Sequence, residues 1–190
     1  MIEQIIDIDV SVFKWIHHDL ANTFMDRLMP MIRNKWNWIP LYAVFVFFAI
    51  TKYKMRSIPI ILGVVLTVIL ADQFSAGLIK DWVQRVRPCN DLSLAAWVRP
   101  VVPCGGGYSF ISAHATNHFA LAVYFSWFFS SINSWKGFHL VFYLWAALIS
   151  FAQVYVGVHF PLDVIVGGIA GVLIGHLMLY LSKLVLKAKN

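Results

Sequence analysis

The chain has 190 residues, of which 60% are hydrophobic, 16% are aromatic and only 13% are charged. A mean hydropathy of +0.73 excludes an ordinary soluble globule and favours a single polytopic membrane domain, residues 1–190, with aromatic side chains at the lipid–water boundary. The formal net charge is +6, but the basic residues lie mostly in short loops between apolar runs, so no nucleic-acid partner is expected.

The N-terminal segment, residues 1–35, has mixed polarity. Isoleucine, valine and aromatic residues alternate at near-helical spacing with charged residues such as Asp9 and Lys14. This pattern is typical of an amphipathic helix that lies in the membrane interface, and a sixth, partly inserted helix is the alternative. Acidic residues at positions 3, 7 and 9 stand where a signal peptide has its basic region, so no cleavable signal peptide is expected.

Five apolar runs follow, and each is long enough to cross a bilayer, which takes about 20 residues. A backbone in lipid must satisfy its own hydrogen bonds, so each run is predicted to be a helix. The runs cover residues 36–53, 59–79, 115–132, 138–158 and 162–181. The predicted fold is therefore an all-α membrane bundle of about five transmembrane helices with a further N-terminal helix.

The basic residues predict the orientation of this bundle. Five spans place the first turn, the third turn and the C-terminal residues on one face, and these regions contain Lys52, Lys54, Arg56, Lys136, Lys183, Lys187 and Lys189. The positive-inside rule makes that face cytoplasmic. The long loop 81–113 then lies outside the cytoplasm, where Cys89 and Cys104 either form a disulfide or stay as two unrelated thiols.

Two cations follow the second apolar run. Lys80 and Arg87 are seven residues apart, about two helical turns, so both side chains can project from one face of a helix. Snorkelling anchors at a span end are the simpler interpretation of such residues. Alternatively, a lysine charge and the planar fork of an arginine would hold phosphate oxygens together.

Two histidines and a carboxylate stand at neighbouring helix ends. Ser112 begins the third run, where it either caps the helix or helps free N–H groups to bind an anion, and His114 beside it would protonate a leaving oxygen. Asp163 would accept a hydrogen bond from one nitrogen of His159 and leave the other free to attack. The alternative, a metal held by two histidines and a carboxylate, lacks ligand spacing such as HExxH.

Two further patterns concern packing. Asp72 and Gln73 lie inside an apolar run, so they are predicted to face the bundle interior and to form hydrogen bonds there. Gly167, Gly171 and Gly175 form a stripe along the fifth run, which predicts close helix packing.

The polar residues resemble the three signatures of the type 2 phosphatidic acid phosphatase (PAP2) superfamily of membrane lipid phosphatases: K-x6-RP, PSGH and SR-x5-H-x3-D. The first signature is complete in Lys80, Arg87 and Pro88. The second keeps its Ser and His but not its Pro and Gly, as Ile111-Ser112-Ala113-His114. The third keeps its His and Asp but not its Ser and Arg, as Ala152-Gln153-x5-His159-x3-Asp163.

This resemblance implies catalysis through a phosphohistidine, with no metal and no cofactor. His159 would be the nucleophile, Asp163 its orienting partner and His114 the general acid. The phosphoryl oxygens would be held by Lys80, Arg87, Ser112 and the backbone from Ala113 onwards.

Gln153 stands where the family has an arginine that binds the phosphoryl group. A neutral amide supplies no charge where charge develops, and losing such a contact commonly costs several kcal/mol. Three explanations are open: Arg85 or Arg99 fills the place, the enzyme is slow or suited to another substrate, or the chain is inactive. The first is favoured, because the other signature residues are present together.

The resulting prediction is a small bacterial inner-membrane lipid phosphatase whose active site faces the periplasm or the extracytoplasmic side. Candidate substrates are undecaprenyl pyrophosphate, phosphatidylglycerol phosphate, phosphatidic acid and lipid A phosphates. Two other interpretations are a weak or inactive PAP2-like protein that binds or moves a lipid phosphate, and a purely structural membrane subunit. The bilayer and the lipid are the expected partners, and the oligomeric state stays open.

Overall fold

The computed structural model describes residues 2–132 and 137–188, and all regular structure in these residues is helical, as predicted. Lys136 and Lys189, which entered the orientation argument, lie outside the described residues. The α-helices are α1 (Ile2–Lys14), α2 (Thr23–Arg33), α3 (Ile39–Tyr53), α4 (Ser57–Asp72), α5 (Lys80–Val83), α6 (Ala113–Ile132), α7 (Phe138–Tyr155) and α8 (Pro161–Ala188). Wider π-helical turns cover Trp15–Asp19 and Gln73–Ile79, and 3-10 turns cover Lys35–Trp38, Lys54–Arg56, Pro88–Asn90 and Leu92–Leu94.

The long apolar helices agree with the predicted runs, with differences at their ends. Two helical stretches of the described chain are long and apolar enough to cross a membrane, Lys35–Leu94 and Pro161–Lys187, and His139–Tyr155 is a shorter apolar helix. The last helix continues to Ala188, beyond the predicted end at 181. The helix α7 ends at Tyr155, earlier than predicted, because the chain turns at Gly157 with a positive φ of 84°.

Helix α6 lies at the centre of the bundle and packs against α4, α7 and α8. Its interior position explains why it carries buried polar side chains, Thr116, His118 and Ser126, and still belongs to the core. The outer faces of the other helices expose large apolar side chains, such as Phe47 on α3 and Leu173 on α8. A surface of this kind is stable against lipid tails and unstable in water.

The glycine stripe brings α8 close to α6, as the sequence predicts. A Cβ atom added at Gly167 would lie 2.8 Å from the carbonyl oxygen of Ser112, and one at Gly175 would lie 2.8 Å from that of Ala120. The prediction for the polar pair in α4 holds in part. Asp72 accepts a hydrogen bond from Asn117 at 3.1 Å, whereas Gln73 is exposed because the wider helical turn directs it outward.

The N-terminal segment forms two helices rather than one interfacial helix. Asn22 separates them, and its side chain caps α2 by accepting the Met25 N–H at 2.9 Å. Helix α2 packs on α7 and α1 packs on α8. Asp9 of α1 is 3% exposed, and His17 in the π-helical turn that follows is fully buried, because polar groups of the bundle bond both side chains.

The basic turn and the polar signatures lie at opposite ends of α6. The Tyr53 hydroxyl contacts the Ser131 hydroxyl at 2.8 Å, which places the turn Lys54–Arg56 near the C-terminal end of α6. Ser112 precedes the N-terminal end of the same helix. Its 20 residues are about 30 Å long at 1.5 Å per residue, which is the thickness of a bilayer's hydrocarbon core.

Candidate active site

His159 and Asp163 form the centre of the site at the turn between α7 and α8. His159 is 2% exposed and Asp163 is fully buried. The Nδ1 atom of His159 faces the Oδ2 atom of Asp163 at 3.5 Å, and no other described residue bonds its Nε2 atom. Burial lowers the pKa of His159, although the carboxylate opposes this effect. The imidazole is therefore held neutral, with one nitrogen available.

Asp163 is fixed through both of its oxygens. Oδ2 accepts hydrogen bonds from the backbone N–H of Phe160 at 2.8 Å and from the hydroxyl of Ser109. Oδ1 is paired with Nη1 of Arg85 at 2.8 Å. These contacts leave the carboxylate little freedom, which fixes the orientation of the histidine beside it.

Arg85 also pairs with a carboxylate from the N-terminal helix. Its Nη2 atom lies 2.6 Å from Oδ2 of Asp9, and its guanidinium lies over the ring of Phe160 at 3.8 Å from the centroid. The other oxygen of Asp9 accepts the N–H of Leu162 at 2.8 Å. Helix α1 thus contacts the start of α8 directly through the bond to Leu162, and Arg85 links Asp9 to Asp163 of the same helix.

The two cations of the first signature lie near the histidine, but not on one helical face as their spacing predicted, because α5 ends at Val83 and Arg87 follows in the loop. Lys80 and Arg87 both interact electrostatically with His159. The Nε and Nη1 atoms of Arg87 donate to the carbonyl oxygens of Gly107 at 3.2 Å and Val158 at 3.3 Å. Burial lowers the pKa of Arg87, and the negative charge of Asp163 opposes this effect.

The second signature places its residues at the start of α6. Ser112 caps the helix, since its hydroxyl accepts the Ala115 N–H at 3.4 Å. Its own N–H donates to the carbonyl oxygen of Asp163 at 3.0 Å, and Ala113 is the first residue of the helix. His114, one residue further, interacts electrostatically with both His159 and Lys80.

Gln153 contacts a cation that the sequence analysis did not consider. Its side chain is fully buried, and its Oε1 atom accepts a hydrogen bond from Nε of Arg33 at 3.2 Å. Arg85 does not fill this place, because Asp9 and Asp163 hold it. The cation that contacts Gln153 is therefore an arginine at the end of α2.

Arg99, the other expected stand-in, is also occupied elsewhere. Its Nη1 atom is paired with Asp26 at 2.9 Å, and its Nε atom donates to the carbonyl oxygen of His17 at 2.8 Å. The ring of His17 accepts the backbone N–H of Arg99 at 2.8 Å. This arginine thus fastens the outer loop to the N-terminal helices.

The two cysteines of the outer loop are joined. Cys89 and Cys104 form a disulfide with a Cα–Cα distance of 5.8 Å. The N–H of Cys89 donates to the carbonyl oxygen of Gly157 at 3.1 Å, two residues before the central histidine. The disulfide therefore restrains the chain that follows Arg87.

Sequence reasoning missed three residues of the site, Asp9, Arg33 and Ser109. Asp9 is an acidic residue on an amphipathic helix, a pattern that also fits a solvated face. Ser109 and Arg33 lie outside every signature. The missing charge at Gln153 was the one signal that could have found Arg33, provided that the N-terminal segment had been searched for a cation. Among the described residues, no three His, Cys, Asp or Glu side chains are grouped so that they could hold a metal ion.

Comparison with known proteins decides the family. A model described as the PAP2 superfamily matches residues 58–186. The chain belongs to the PAP2 superfamily. It is therefore a PAP2-type phosphatase of membrane lipids, an enzyme rather than a structural subunit, as the signatures predicted.

Two relatives and one solved structure describe its place among PAP2 proteins. The chain is 30% identical to a lipid A 4'-phosphatase of Porphyromonas gingivalis over 92% of this chain and 72% of the relative. It is 30% identical to a lipid A 4'-phosphatase of Bacteroides thetaiotaomicron over 96% and 80%. A PAP2-type phosphatidylglycerolphosphate phosphatase from Bacillus subtilis has a similar fold, with a TM-score of 0.70 at 21% identity, over 95% of this chain and 87% of that one. The fold likeness confirms the predicted membrane helical bundle.

Proposed function

We propose that this PAP2 phosphatase hydrolyses a phosphate ester of lipid A through a phosphohistidine on His159. The observation that carries the proposal is the environment of His159. This buried imidazole faces a carboxylate with one nitrogen, has its other nitrogen unpartnered among the described residues, and interacts with two cations, Lys80 and Arg87. Such a site suits attack on a phosphorus atom whose oxygens are negatively charged.

In the first step, Nε2 of His159 attacks phosphorus. A P–N bond forms while the P–O bond to the lipid breaks, and His114 gives a proton to the departing lipid oxygen. The imidazole gains positive charge as it bonds, and Asp163 stabilises that charge through Nδ1. Lys80 and Arg87 hold the phosphoryl oxygens throughout.

In the second step, water attacks the phosphorus of the phosphohistidine. His114, now neutral, takes a proton from this water, so that one group serves as acid and then as base. The P–N bond breaks, His159 regains its neutral imidazole, and inorganic phosphate leaves. No group other than water enters the balance of the reaction.

An apolar groove supports a lipid as the substrate. A cavity of about 500 Å³ lies between α3, α4 and α6, and it is lined by Tyr42, Val64, Val68 and Leu121. Asn117 and His118 close one end of it, within about a turn of His114. An acyl chain in this groove would bring its headgroup phosphate to the two histidines. The 30% identity to two lipid A 4'-phosphatases favours lipid A as the source of that phosphate.

The proposed location is the inner membrane of a bacterium, with the active site on the extracytoplasmic side. Lys54 and Arg56 lie in the turn at the opposite end of α6 from the signatures, and basic residues mark the cytoplasmic side. The disulfide between Cys89 and Cys104 lies at the active-site end, which agrees with an oxidising compartment.

Substitution of the nucleophile tests the proposal. In detergent-solubilised protein, His159→Ala is expected to abolish phosphate release from lipid A, a loss of at least about 10³-fold, because no other group can form the P–N bond. His176→Ala is the matched control, since His176 is exposed on α8 and bonds only the Val172 carbonyl oxygen of its own helix. Release is measured as inorganic phosphate and as the mass of the product lipid.

The substrate panel contains lipid A, undecaprenyl pyrophosphate, phosphatidylglycerol phosphate and phosphatidic acid. We expect the highest kcat/KM with lipid A. Activity that survives in His159→Ala would contradict the mechanism, and higher activity on another lipid would reassign the substrate. A wild-type protein that binds the lipids but releases no phosphate from any of them would favour a lipid-phosphate binding protein.

A further inference from the structure

Gln153 leaves the phosphoryl site one cation short of the PAP2 pattern. The residue lies in the last turn of α7. Its side chain is fully buried, so it is not a solvent-exposed glutamine. Its amide offers an acceptor oxygen and a donor nitrogen, and the oxygen is bonded to Arg33 at 3.2 Å. Position 153, which lacks a charged side chain, is therefore hydrogen-bonded to the charged side chain of Arg33.

The packing of α2 on α7 places the Arg33 side chain beside Gln153, although the two residues are far apart in the sequence. Arg33 is the last residue of α2, the helix that packs on α7, and the chain turns away at Asn34 in an extended conformation. Arg33 and Gln153 are 120 positions apart. Arg33 also interacts electrostatically with His114 and Arg87, so its guanidinium lies among the residues of the signatures.

The charge of Arg33 is not neutralised by an acidic side chain. Among the arginines of the described residues, Arg85 and Arg99 form ion pairs with carboxylates, whereas Arg33 has none there. Its bond to Gln153 uses Nε, and no described residue accepts from Nη1 or Nη2. Burial and the nearby charge of Arg87 lower the pKa of Arg33, which is the sign of a cation that lacks a compensating anion.

We infer that Arg33 supplies, from a different helix, the positive charge that the PAP2 signature places at position 153. Nη1 and Nη2 of Arg33 bind oxygens of the transferring phosphoryl group, and Gln153 positions the guanidinium through Nε. A glutamine suits this task because it accepts a hydrogen bond without cancelling the charge. A glutamate would form an ion pair and remove the charge from the phosphate. The inference rests on the proposed function, since it concerns the same phosphoryl site.

Three substitutions and one control test this assignment in full-length protein. Arg33→Gln is expected to lower kcat on lipid A about 10²-fold, the usual effect of removing one preorganised contact to the transition state. Gln153→Glu keeps the size and the acceptor and is expected to lower kcat about 10-fold. Arg27→Gln, on the exposed side of the same helix, is expected to leave kcat unchanged. The double variant Arg33→Gln/Gln153→Arg returns the charge to the family's position and is expected to recover at least about 10-fold over Arg33→Gln.

Orthovanadate, which mimics the transferring phosphoryl group, gives a readout that is independent of turnover. Its stabilisation of the protein against thermal unfolding is expected to be lost in Arg33→Gln, weakened in Gln153→Glu and unchanged in Arg27→Gln. Wild-type kcat and vanadate stabilisation in Arg33→Gln would overturn the inference. If His159→Ala were still inactive in that case, the proposed function would stand. Activity that survives in His159→Ala would instead remove the proposed function itself.

Discussion

Arg85 and Arg33 come to the candidate site from different segments of the chain, and their partners differ. Arg85 lies between two buried carboxylates, Asp9 and Asp163, at 2.6 Å and 2.8 Å. Arg33 forms a hydrogen bond with a neutral amide, that of Gln153, and with no other side chain of the described residues. A cation between two carboxylates is fully neutralised, whereas a half-buried cation on an amide keeps its charge.

This difference separates structural from functional cations at one site. The Arg85 cluster (Arg85, Asp9 and Asp163) contains the carboxylate that orients His159. The charges within this cluster neutralise one another. The charge of Arg33 is paired with no carboxylate of the described residues, and in the inference above it binds the phosphoryl group. Proximity to a catalytic histidine therefore does not identify a phosphate ligand, and the charge balance of its partners does.

The largest expected difference between the two arginines is in stability. Arg85→Ala leaves two buried carboxylates without their cation and is expected to lower the free energy of unfolding by about 3–5 kcal/mol. Arg33→Ala removes no ion pair of the described residues but leaves the buried Oε1 atom of Gln153 without its donor, so a smaller loss of about 1–2 kcal/mol is expected. Thermal unfolding in detergent measures both values, and Arg56→Ala, in the exposed basic turn, is the control. Equal destabilisation by both substitutions would contradict the distinction.

A smaller effect on stability is expected from Asp9, the other carboxylate of the Arg85 cluster. Asp9→Asn keeps the acceptor for Leu162 N–H but removes one charge, and it is expected to lower the free energy of unfolding by about 1–2 kcal/mol. Since Asp163 keeps its own pairing with Arg85, kcat is expected to fall by less than about 10-fold. Asp7→Asn, at an exposed position of the same helix, serves as the matched control. Loss of all activity with retained stability would assign Asp9 a direct part in catalysis.

The smallest expected effect is in the pH dependence. His159 must be neutral to attack, and burial lowers its pKa from the ordinary value of 6.5, so full activity is expected to persist below that pH. Activity then falls as the pH drops through the lowered pKa. The profile of kcat/KM against pH measures this acid limb. Arg33→Gln is expected to leave the midpoint of the acid limb unchanged, because Arg33 acts on the phosphoryl group. A midpoint above pH 6.5 in the wild type would contradict a buried, neutral His159.

Much of the site could be predicted because its signatures are local. His159 and Asp163 are four residues apart, and the turn that separates them fixes their contact at 3.5 Å. Lys80 and Arg87 are only seven residues apart, so both reach the same end of the bundle, although not from one helical face, because the helix ends at Val83 and Arg87 lies in the loop that follows. The glycine stripe of α8 is likewise a helical period within a single element, and it predicted the close packing on α6.

Residues paired across the bundle could not be predicted in the same way. Asp9 is 76 positions from Arg85, and nothing in the pattern of α1 shows that its polar side packs on other helices. Arg85 and Arg99 were reasonable substitutes for the charge missing at Gln153, because both lie in the outer loop near the signatures. Their carboxylate partners, which the sequence leaves unassigned, exclude them from that place.

The sequence by itself determined the helical membrane bundle, the family and the central pair of His159 and Asp163, because hydropathy runs and short spacings are properties of contiguous residues. The tertiary structure decided which cation meets Gln153 and which carboxylates neutralise Arg85. These contacts depend on how α1 and α2 pack against α7 and α8, and such packing follows from the shape and charge of whole faces rather than from any single segment.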